Sequence, residues 1–360
     1  RVASKNFGFV KIDGDEEIYV SSKDSLDAMN DDRVSIKIIS EKTSDKKNRE
    51  GKVIKIIERA SDIVVGYFKL SGGFGFVTPI NKRIPFDIHI EKRYFGKAVK
   101  DSIVEVRLLQ KKHKDDNPEG VIVSVLGHKD DPNAELTAII KDFKVRDTFD
   151  EDALREADEV AKPIEDNDLI GRKDLRDKTF ITIDGEDTKD IDDAIYLEKA
   201  DGDFKKLYVS IADVSHYVTE GSLLDIEAMK RGNSVYLLDR VIPMLPHVLS
   251  NGMCSLNEGE DRLTMTCEMT IDDKGNVVNH DIYESIIRSR KRMTYHEVQD
   301  IIDGSKTIDT PQNIKDMILD MISLSRVIRK KRYARGAVSF DLKETMIEVD
   351  ENLKPQKVTK

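Results

Sequence analysis

The sequence predicts a multidomain chain in which two tandem all-β barrels precede an α+β domain. Three observations predict it. The first third repeats itself, in units built from short alternating runs. The texture then changes near Asp131 to strands interleaved with capped helices. A crowd of carboxylates sits at one turn of that second part. At 360 residues the chain exceeds one ordinary domain, and two or three are expected.

The repeat comes first in the chain. "NFGFVKID", with Phe7 and Phe9, returns as "GGFGFVTP", with Phe74 and Phe76; "REGKVIKII" around Gly51 returns as "PEGVIVSVL" around Gly120. The offsets agree, 67 residues from Phe9 to Phe76 and 69 from Gly51 to Gly120. Runs such as "DIVVGYF", "SIVEVRLL" and "VIVSVL" are broken by Gly, Asp and Asn, and a lysine-rich loop precedes the last strand of each unit. Short strands at this spacing predict a small closed barrel, and a Gly-Phe-Gly-Phe-Val strand is the cold-shock variant of the OB-fold. The boundaries follow as 1–60 and 61–130. Outward aromatics on such a barrel stack on successive bases, at about 1–3 kcal/mol each. Phe7, Phe9, Phe74 and Phe76 are therefore candidate nucleic-acid contacts; the competing reading places the same rings partly in the barrel cores.

Residues 131–173 read as a helical connector, with "DEDALREADEVAK" as a short acidic helix followed by a polar stretch. From 174 to 360 strands alternate with helices. Ser222 caps "GSLLDIEAMKRG", which Gly232 stops, and Thr294 and Glu297 stand at capping-box spacing. A longer helix starts at Pro311 and ends near Gly336. Its stripe of Ile314, Met317, Ile318, Met321, Leu324, Val327 and Ile328 has helical periodicity and reads as core packing.

Composition narrows the class. Hydrophobic residues at 39% suffice for packed cores, whereas 36% charged residues demand a heavily solvated surface. No apolar run approaches the roughly 18 residues of a membrane span, and no secretory signal opens the chain. Cys254 and Cys267 lack metal-ligand spacing and fit a reducing, cytoplasmic setting without disulfides. The first residue is Arg1 rather than Met, which reads as a fragment or a processed product. The net charge of −10 is unevenly spread: residues 1–128 carry 24 Lys+Arg against 20 Asp+Glu, leaving 35 against 49 for the rest. A basic front and an acidic back suit polyanion capture followed by metal chemistry, and equally suit two unrelated surfaces. Nothing in the sequence demands an oligomer, so a monomer is expected.

The stretch "TFITIDGEDTKDIDDAIYL" then raises a question. Between Asp184 and Asp193 it holds six acids and one base, Lys189. Asp184 closes a predicted strand, "DGEDTK" turns, and "IDDAIYL" begins the next strand, which brings Asp184 back near Asp190, Asp192 and Asp193. Like charges about 4 Å apart repel by around 4 kcal/mol at an intermediate dielectric. Against a total stability of about 5–15 kcal/mol, several such pairs call for a counter-ion. Oxygen ligands without His or Cys favour Mg²⁺ or Mn²⁺ over zinc. A calcium EF-hand loop needs Gly at its sixth position; counting from Asp184 gives Lys189 and from Asp190 gives Ile195, so that reading fails. A solvated Asp/Gly turn with splayed acids is the plain alternative. Two divalent ions at such a cluster would suit phosphodiester hydrolysis.

The pattern Asp184-x5-Asp190-x-Asp192-Asp193 resembles the signature of the ribonuclease II/ribonuclease R exoribonucleases. So do "VSIADVSHYV", "RGNSVYLLDRVIPMLPHVLSNGMCSLNEGEDRLTMTCEM", "RSRKRMTYHEV" and "RGAVSF". The resemblance covers essentially the whole chain, and "FGFV" in both barrels favours the ribonuclease R branch. It implies an RNB-type α+β catalytic domain over 174–360, incomplete at its C-terminus, in a segment of a longer enzyme. The family's later arginine-bearing motif and its C-terminal OB-type domain are not represented before Lys360. The implied activity is processive, Mg²⁺-dependent 3′→5′ hydrolysis of single-stranded RNA to nucleoside 5′-monophosphates, with Mn²⁺ as a substitute ion. Asp184, Asp190, Asp192 and Asp193 are the implied metal ligands, with Asp192 and Asp190 catalytic. Tyr236 resembles the aromatic that clamps bases at the 3′ end, and Phe340 the aromatic that ends the innermost stack. His216 reads as a hydrogen-bonded structural histidine. Arg288, Arg290, Lys291 and Arg292, and the run Arg329–Arg332, read equally as phosphate contacts or solvated faces. The rival class is an RNA chaperone that binds through its tandem barrels and carries a catalytically incomplete nuclease domain.

Overall fold

Short runs of β-branched and aromatic residues, each stopped by Gly, Asp or Asn, form the strands of the first third. The computed structural model describes residues 2–4, 7–12, 16–41, 48–84, 86–109, 118–304, 309–340, 345–351 and 353–359. Internal contacts divide the chain into two units, Arg1–Asp147 with Met346–Thr359, and Thr148–Thr345.

In the first unit, strands β1 (Val2–Ser4), β2 (Phe7–Lys11), β3 (Glu17–Ser21), β4 (Arg33–Ser40) and β5 (Glu50–Glu58) pair in the order β1-β2-β3-β5-β4. Ile18, Val20 and Val53 are its buried side chains. Strands β6 (Ile63–Ser71), β7 (Phe74–Pro79), β8 (Ile88–Ile90), β9 (Ser102–Leu108) and β10 (Glu119–His128) close a barrel in the order β10-β8-β7-β6-β9. Phe68, Val77, Ile88, Ile90, Val104 and Val106 fill it without exposure. The glycine between Phe74 and Phe76 is a packing requirement, since a Cβ on Gly75 would collide with the rings of Phe95 and Phe68. The lysine-rich loops expected before each last strand lie outside the described residues.

Within the first unit's leading sheet, the Arg59 guanidinium donates to Asp27 Oδ2 at 2.5 Å and Asp32 Oδ2 at 2.8 Å, and the neighbouring Met29 packs against the second barrel's core. Helix α1 (Pro132–Asp142) begins with Asp131 accepting from the Asn133 N–H at 3.0 Å and Pro132 at the first position. Its Ala134 and Ala138 pack on Val65 and Ile103, so the stretch expected as one connector divides. Its first helix belongs with the second barrel.

In the second unit, the expected acidic helix is α2 (Glu151–Val160). Strands β11 (Lys173–Asp174), β12 (Phe180–Asp184), β13 (Asp193–Lys199) and β14 (Lys205–Ala212) follow, then helices α3 (Val214–Tyr217) and α4 (Leu223–Arg231). A small hairpin, β15 (Val235–Tyr236) and β16 (Val241–Ile242), precedes the long strands β17 (Asp261–Ile271) and β18 (Val277–Thr294) and the helices α5 (Tyr295–Ile302) and α6 (Gln312–Ala334). The sheet order is β11-β18-β12-β13-β14-β17, and β17 also pairs with β18. That closure is made by the 18 residues of β18, whose first two-thirds pair with β17 and whose end runs parallel to β12. The expected α+β class is what the chain adopts.

Strand alternation builds both sides of this sheet. Phe180 enters one core with Ala157 of α2 and Leu224 of α4; its neighbour Ile181 enters another beneath Ile301 of α5 and Ile314, Met317, Ile318 and Leu324 of α6. Each such fully buried side chain contributes roughly 1.5–3 kcal/mol. The caps form as the sequence predicts: Ser222 accepts from the Asp225 N–H, and Thr294 and Glu297 close a reciprocal box. Gly232 takes φ 79° after α4 and Gly336 takes φ 94° after α6, left-handed values at which glycine ends a helix without strain. Strands β19 (Met346–Val349) and β20 (Pro355–Thr359) form a terminal hairpin. Among the described residues no helix is long and apolar enough to cross a membrane.

Candidate active site

The carboxylate loop joins the end of β12 to the start of β13. Asp184 is the last residue of β12, in register with Thr294 at the end of β18, and Asp193 opens β13 opposite Ile211. A turn follows Asp184, its Thr188 N–H donating to the Gly185 carbonyl at 3.3 Å. Beyond it, Ile191 is the anchor. Its side chain is fully buried, its carbonyl accepts from the Leu256 N–H at 2.8 Å, and its N–H donates to Ser255 Oγ at 3.1 Å. The Ser255 hydroxyl donates in turn to the Lys189 carbonyl at 2.8 Å. Ile191 is buried, whereas its neighbours are not: Asp190 is half-buried and Asp192 exposed. The Ala212 N–H, donating to the Asp192 carbonyl at 2.9 Å, fixes the far end.

The four carboxylates share one field. Burial, then the charges of Asp190, Asp193 and Asp184, raise the pKa of Asp192. Asp192 touches solvent, yet surrounding protein atoms displace enough of its hydration to make desolvation the leading cause. Asp184 is raised by burial and by Asp193, against an opposing pull from Arg292. Among the described residues no three His, Cys, Asp or Glu side chains stand close enough together to hold a metal ion as they are placed. The donors are nonetheless all carboxylate oxygens, the chemistry of Mg²⁺, which keeps several waters and takes only one or two carboxylates directly.

Tyr236 joins this cluster. Its hydroxyl donates to Asp190 Oδ2 at 2.8 Å, and this bond, with burial second, raises the phenol's pKa. The ring is 66% exposed, so it presents a face to solvent and is not a core residue. The Met244 N–H, donating to Ser234 Oγ at 3.0 Å, steadies the hairpin that carries it. Phe340 lies in the extended stretch after α6, 77% exposed, and no described contact joins it to the carboxylates.

On the barrels, Phe7 and Phe9 are half-buried and form a cluster with Tyr19, at ring distances of 5.7 and 6.0 Å. Phe74, 60% exposed, and Phe76 flank His89 at 5.8 and 5.6 Å. Tyr19 and His89 were not singled out by the sequence reading. The signal was available: "EIYV" and "DIHI" are repeat equivalents, and the registers Phe9↔Tyr19 and Phe76↔His89 match.

The remaining polar candidates have structural partners. His216 Nε2 lies 3.6 Å from Asp168 Oδ1. Asp213, nearly buried, accepts from Ser215 and pairs with Arg172 at 2.6 Å, which together outweigh burial and hold its pKa down. Burial pushes the Cys254 thiol up to about 12, with Asp192 adding to the shift, so it is no nucleophile at neutral pH. Among the basic residues, Arg288 bonds Asp261 at 2.6 Å, Arg290 bonds the Arg176 carbonyl, and Lys331 bonds Asn276 at 2.7 Å. Arg292 bonds the carboxylate loop itself. Arg329, Lys330 and Arg332 are exposed on α6, as the solvated-face reading has it.

Fold and site together define a protein with OB-type barrels and an α+β domain centred on carboxylates. Comparison with known proteins places it further. The RNB domain matches residues 172–360, the cold shock domain residues 76–150, and the ribonuclease B OB domain residues 1–56. Ribonuclease R of Thermotoga maritima is 43% identical over 96% of this chain and 48% of its own length. Ribonuclease R of Escherichia coli is 34% identical over 94% of this chain and 42% of its own. The solved Mycoplasma genitalium RNase R in complex with ribose methylated single-stranded RNA aligns with a TM-score of 0.89 at 28% identity, covering 99% of this chain and 56% of that one. The chain belongs to the ribonuclease II/ribonuclease R family, whose RNB domain it carries. It spans about half the length of the curated relatives it matches.

Proposed function

We propose that this protein is a processive 3′→5′ hydrolytic exoribonuclease that acts on single-stranded RNA with Mg²⁺, for which Mn²⁺ substitutes, and releases nucleoside 5′-monophosphates. The observation that carries the reading is the placement of Asp184, Asp190, Asp192 and Asp193 on the one loop between β12 and β13, with the Tyr236 hydroxyl on Asp190. Relatives named Ribonuclease R, one of them solved with single-stranded RNA, support RNA as substrate. The presence of all four acids favours turnover over a chaperone role. A monomer in the cytoplasm is part of the same reading.

Asp184, Asp190, Asp192 and Asp193 would hold the metal. Divalent ions held there would supply the chemistry that lowers the pKa of a water and offsets charge on the departing 3′-oxygen. In the hydrolysis the water oxygen bonds to phosphorus, the P–O3′ bond breaks, and the 3′-oxygen acquires a proton. Tyr236 occupies one oxygen of Asp190 and leaves the other for a ligand. Its exposed ring stacks on a base near the 3′ end, and Phe340 bounds the stack. Phe7, Phe9, Phe74 and Phe76 hold bases further along the strand. Stacking of this kind is insensitive to sequence, as degradation requires.

The test is a time course on 5′-labelled single-stranded RNA with Mg²⁺, an EDTA control, and a gel shift on the same samples. A ladder shrinking from the 3′ end, with 5′-monophosphates released and EDTA stopping it, is expected. RNA bound but uncut would replace the nuclease with a binding protein, and RNA neither bound nor cut would end the reading.

A further inference from the structure

Arg292 offers the loop more than charge. Its Nη2 donates to the carbonyls of Thr188 at 2.7 Å, Glu186 at 2.9 Å and Gly185 at 3.3 Å. Nη2 carries two hydrogens, so the two short contacts take them directly. The Gly185 carbonyl, already accepting from the Thr188 N–H, shares. The residue is itself fixed: its backbone N–H donates to Glu258 Oε2 at 2.8 Å, and β18 holds it in register with Thr182, two residues before Asp184. The guanidinium is half-buried and has no carboxylate partner within 4.0 Å among the described residues. A cation placed against three carbonyls of one turn fixes the path of that turn, and this turn sets the separation of Asp184 from Asp190, Asp192 and Asp193.

We propose that Arg292 is a positioning residue: it clasps the Gly185–Thr188 turn and thereby holds the aspartates in the spacing that receives a divalent ion, and it is not a phosphate contact. The inference rests on the metal-binding reading of the cluster. A lysine at this position keeps the charge and three donors on one nitrogen but loses the rigid planar fork. Arg292→Met keeps the apolar stem and removes both.

Three measurements on the purified protein decide it: hydrogen–deuterium exchange of the 185–192 segment, Mn²⁺ titration followed by the resonance of free Mn²⁺, and gel shift of single-stranded RNA in EDTA. In Arg292→Met the segment exchanges faster and Mn²⁺ affinity falls about tenfold, as for other residues that orient metal ligands. RNA affinity in EDTA stays at the wild-type level, and Arg292→Lys recovers most of both losses. A drop in RNA affinity with exchange and Mn²⁺ binding unchanged would make Arg292 a phosphate contact and overturn the proposal; so would no change in any measurement. Should Arg292→Met fail to fold, Arg292→Lys decides by its exchange, intermediate for a clasp and wild-type otherwise. Wild-type protein that binds no Mn²⁺ would defeat the metal reading alone, and the exchange data would still test the clasp.

Discussion

Asp192 and Asp184 are more costly to ionise in the folded chain than in the unfolded one. A raised carboxyl pKa has a definite sign in the stability balance. Both states are protonated below the ordinary value of 3.8, and the folded state loses ground as pH rises from there through the raised value. At neutral pH without metal the acids therefore oppose folding. Asp192→Asn removes one charge at nearly constant shape, and among the described residues no side-chain hydrogen bond is lost with it. We expect thermal unfolding at pH 7 in EDTA to shift upward, by a few tenths to about 1 kcal/mol once solvent screening is allowed for. At pH 4 the gain should shrink. The same variant should retain RNA and cut none of it. A variant no more stable than wild type at pH 7 would mean the acids are splayed into water. Tyr236 separates two effects in one residue. Tyr236→Phe deletes the bond to Asp190 and keeps the ring, so RNA affinity in EDTA should hold. Tyr236→Ala should lose about 1–3 kcal/mol of binding.

The loop between β12 and β13 has little regular structure, and elements distant in sequence hold its shape. Ser255 is the clearest brace, fully buried and bonded at once to the Ile191 N–H and the Lys189 carbonyl. Ser255→Ala leaves a buried N–H unsatisfied, at about 1–3 kcal/mol. Chemical denaturation should show that loss, and Mn²⁺ affinity should fall with it; a loss of stability with metal binding intact would make Ser255 purely structural. The difference between what the sequence disclosed and what it hid lies here. The Ser222 cap and the Thr294–Glu297 box were legible because each is made within three residues. The Asp184-to-Asp193 crowd was legible because its acids are near neighbours in the chain. Ser255 lies 64 residues from Ile191, and Arg292 lies 104 from Thr188. No local pattern reports such contacts. Helix α1 was missed although Asp131-Pro132 is a sound start signal, because the polar surroundings read as a connector. Tyr19 and His89 were marked in the sequence only as repeat equivalents; that they are ring partners of the phenylalanines follows from register, which a single strand does not give, once β3 and β8 pair with β2 and β7.

Across the whole molecule the charge divides, with residues 1–128 carrying 24 bases against 20 acids and the rest 35 against 49. A polyanion gains little long-range attraction from such a chain, so stacking must supply much of the affinity. The two contributions respond differently to salt. Phosphate contacts release counter-ions and give a slope of log affinity against log salt of about −0.7 per contact on single strands, whereas stacking gives almost none. For single-stranded RNA in EDTA we expect a shallow slope, equivalent to a few phosphate contacts. Phe74→Ala with Phe76→Ala should lower affinity at every salt concentration by about 2–6 kcal/mol for two lost stacks, leaving the slope where it was. Divalent ions alter the acidic part instead. Mg²⁺ that binds only the folded carboxylates raises the unfolding temperature, by the equivalent of about 2.7 kcal/mol at one hundred times its dissociation constant. Asp192→Asn should lose most of that rise, while the double phenylalanine variant keeps all of it. Were the phenylalanine variant to flatten the salt slope, those rings would be acting through neighbouring lysines rather than as stacking faces. Were Asp192→Asn to keep the full response to Mg²⁺, the ion would be held elsewhere, and the carboxylate loop would lose its claim to be the site of hydrolysis.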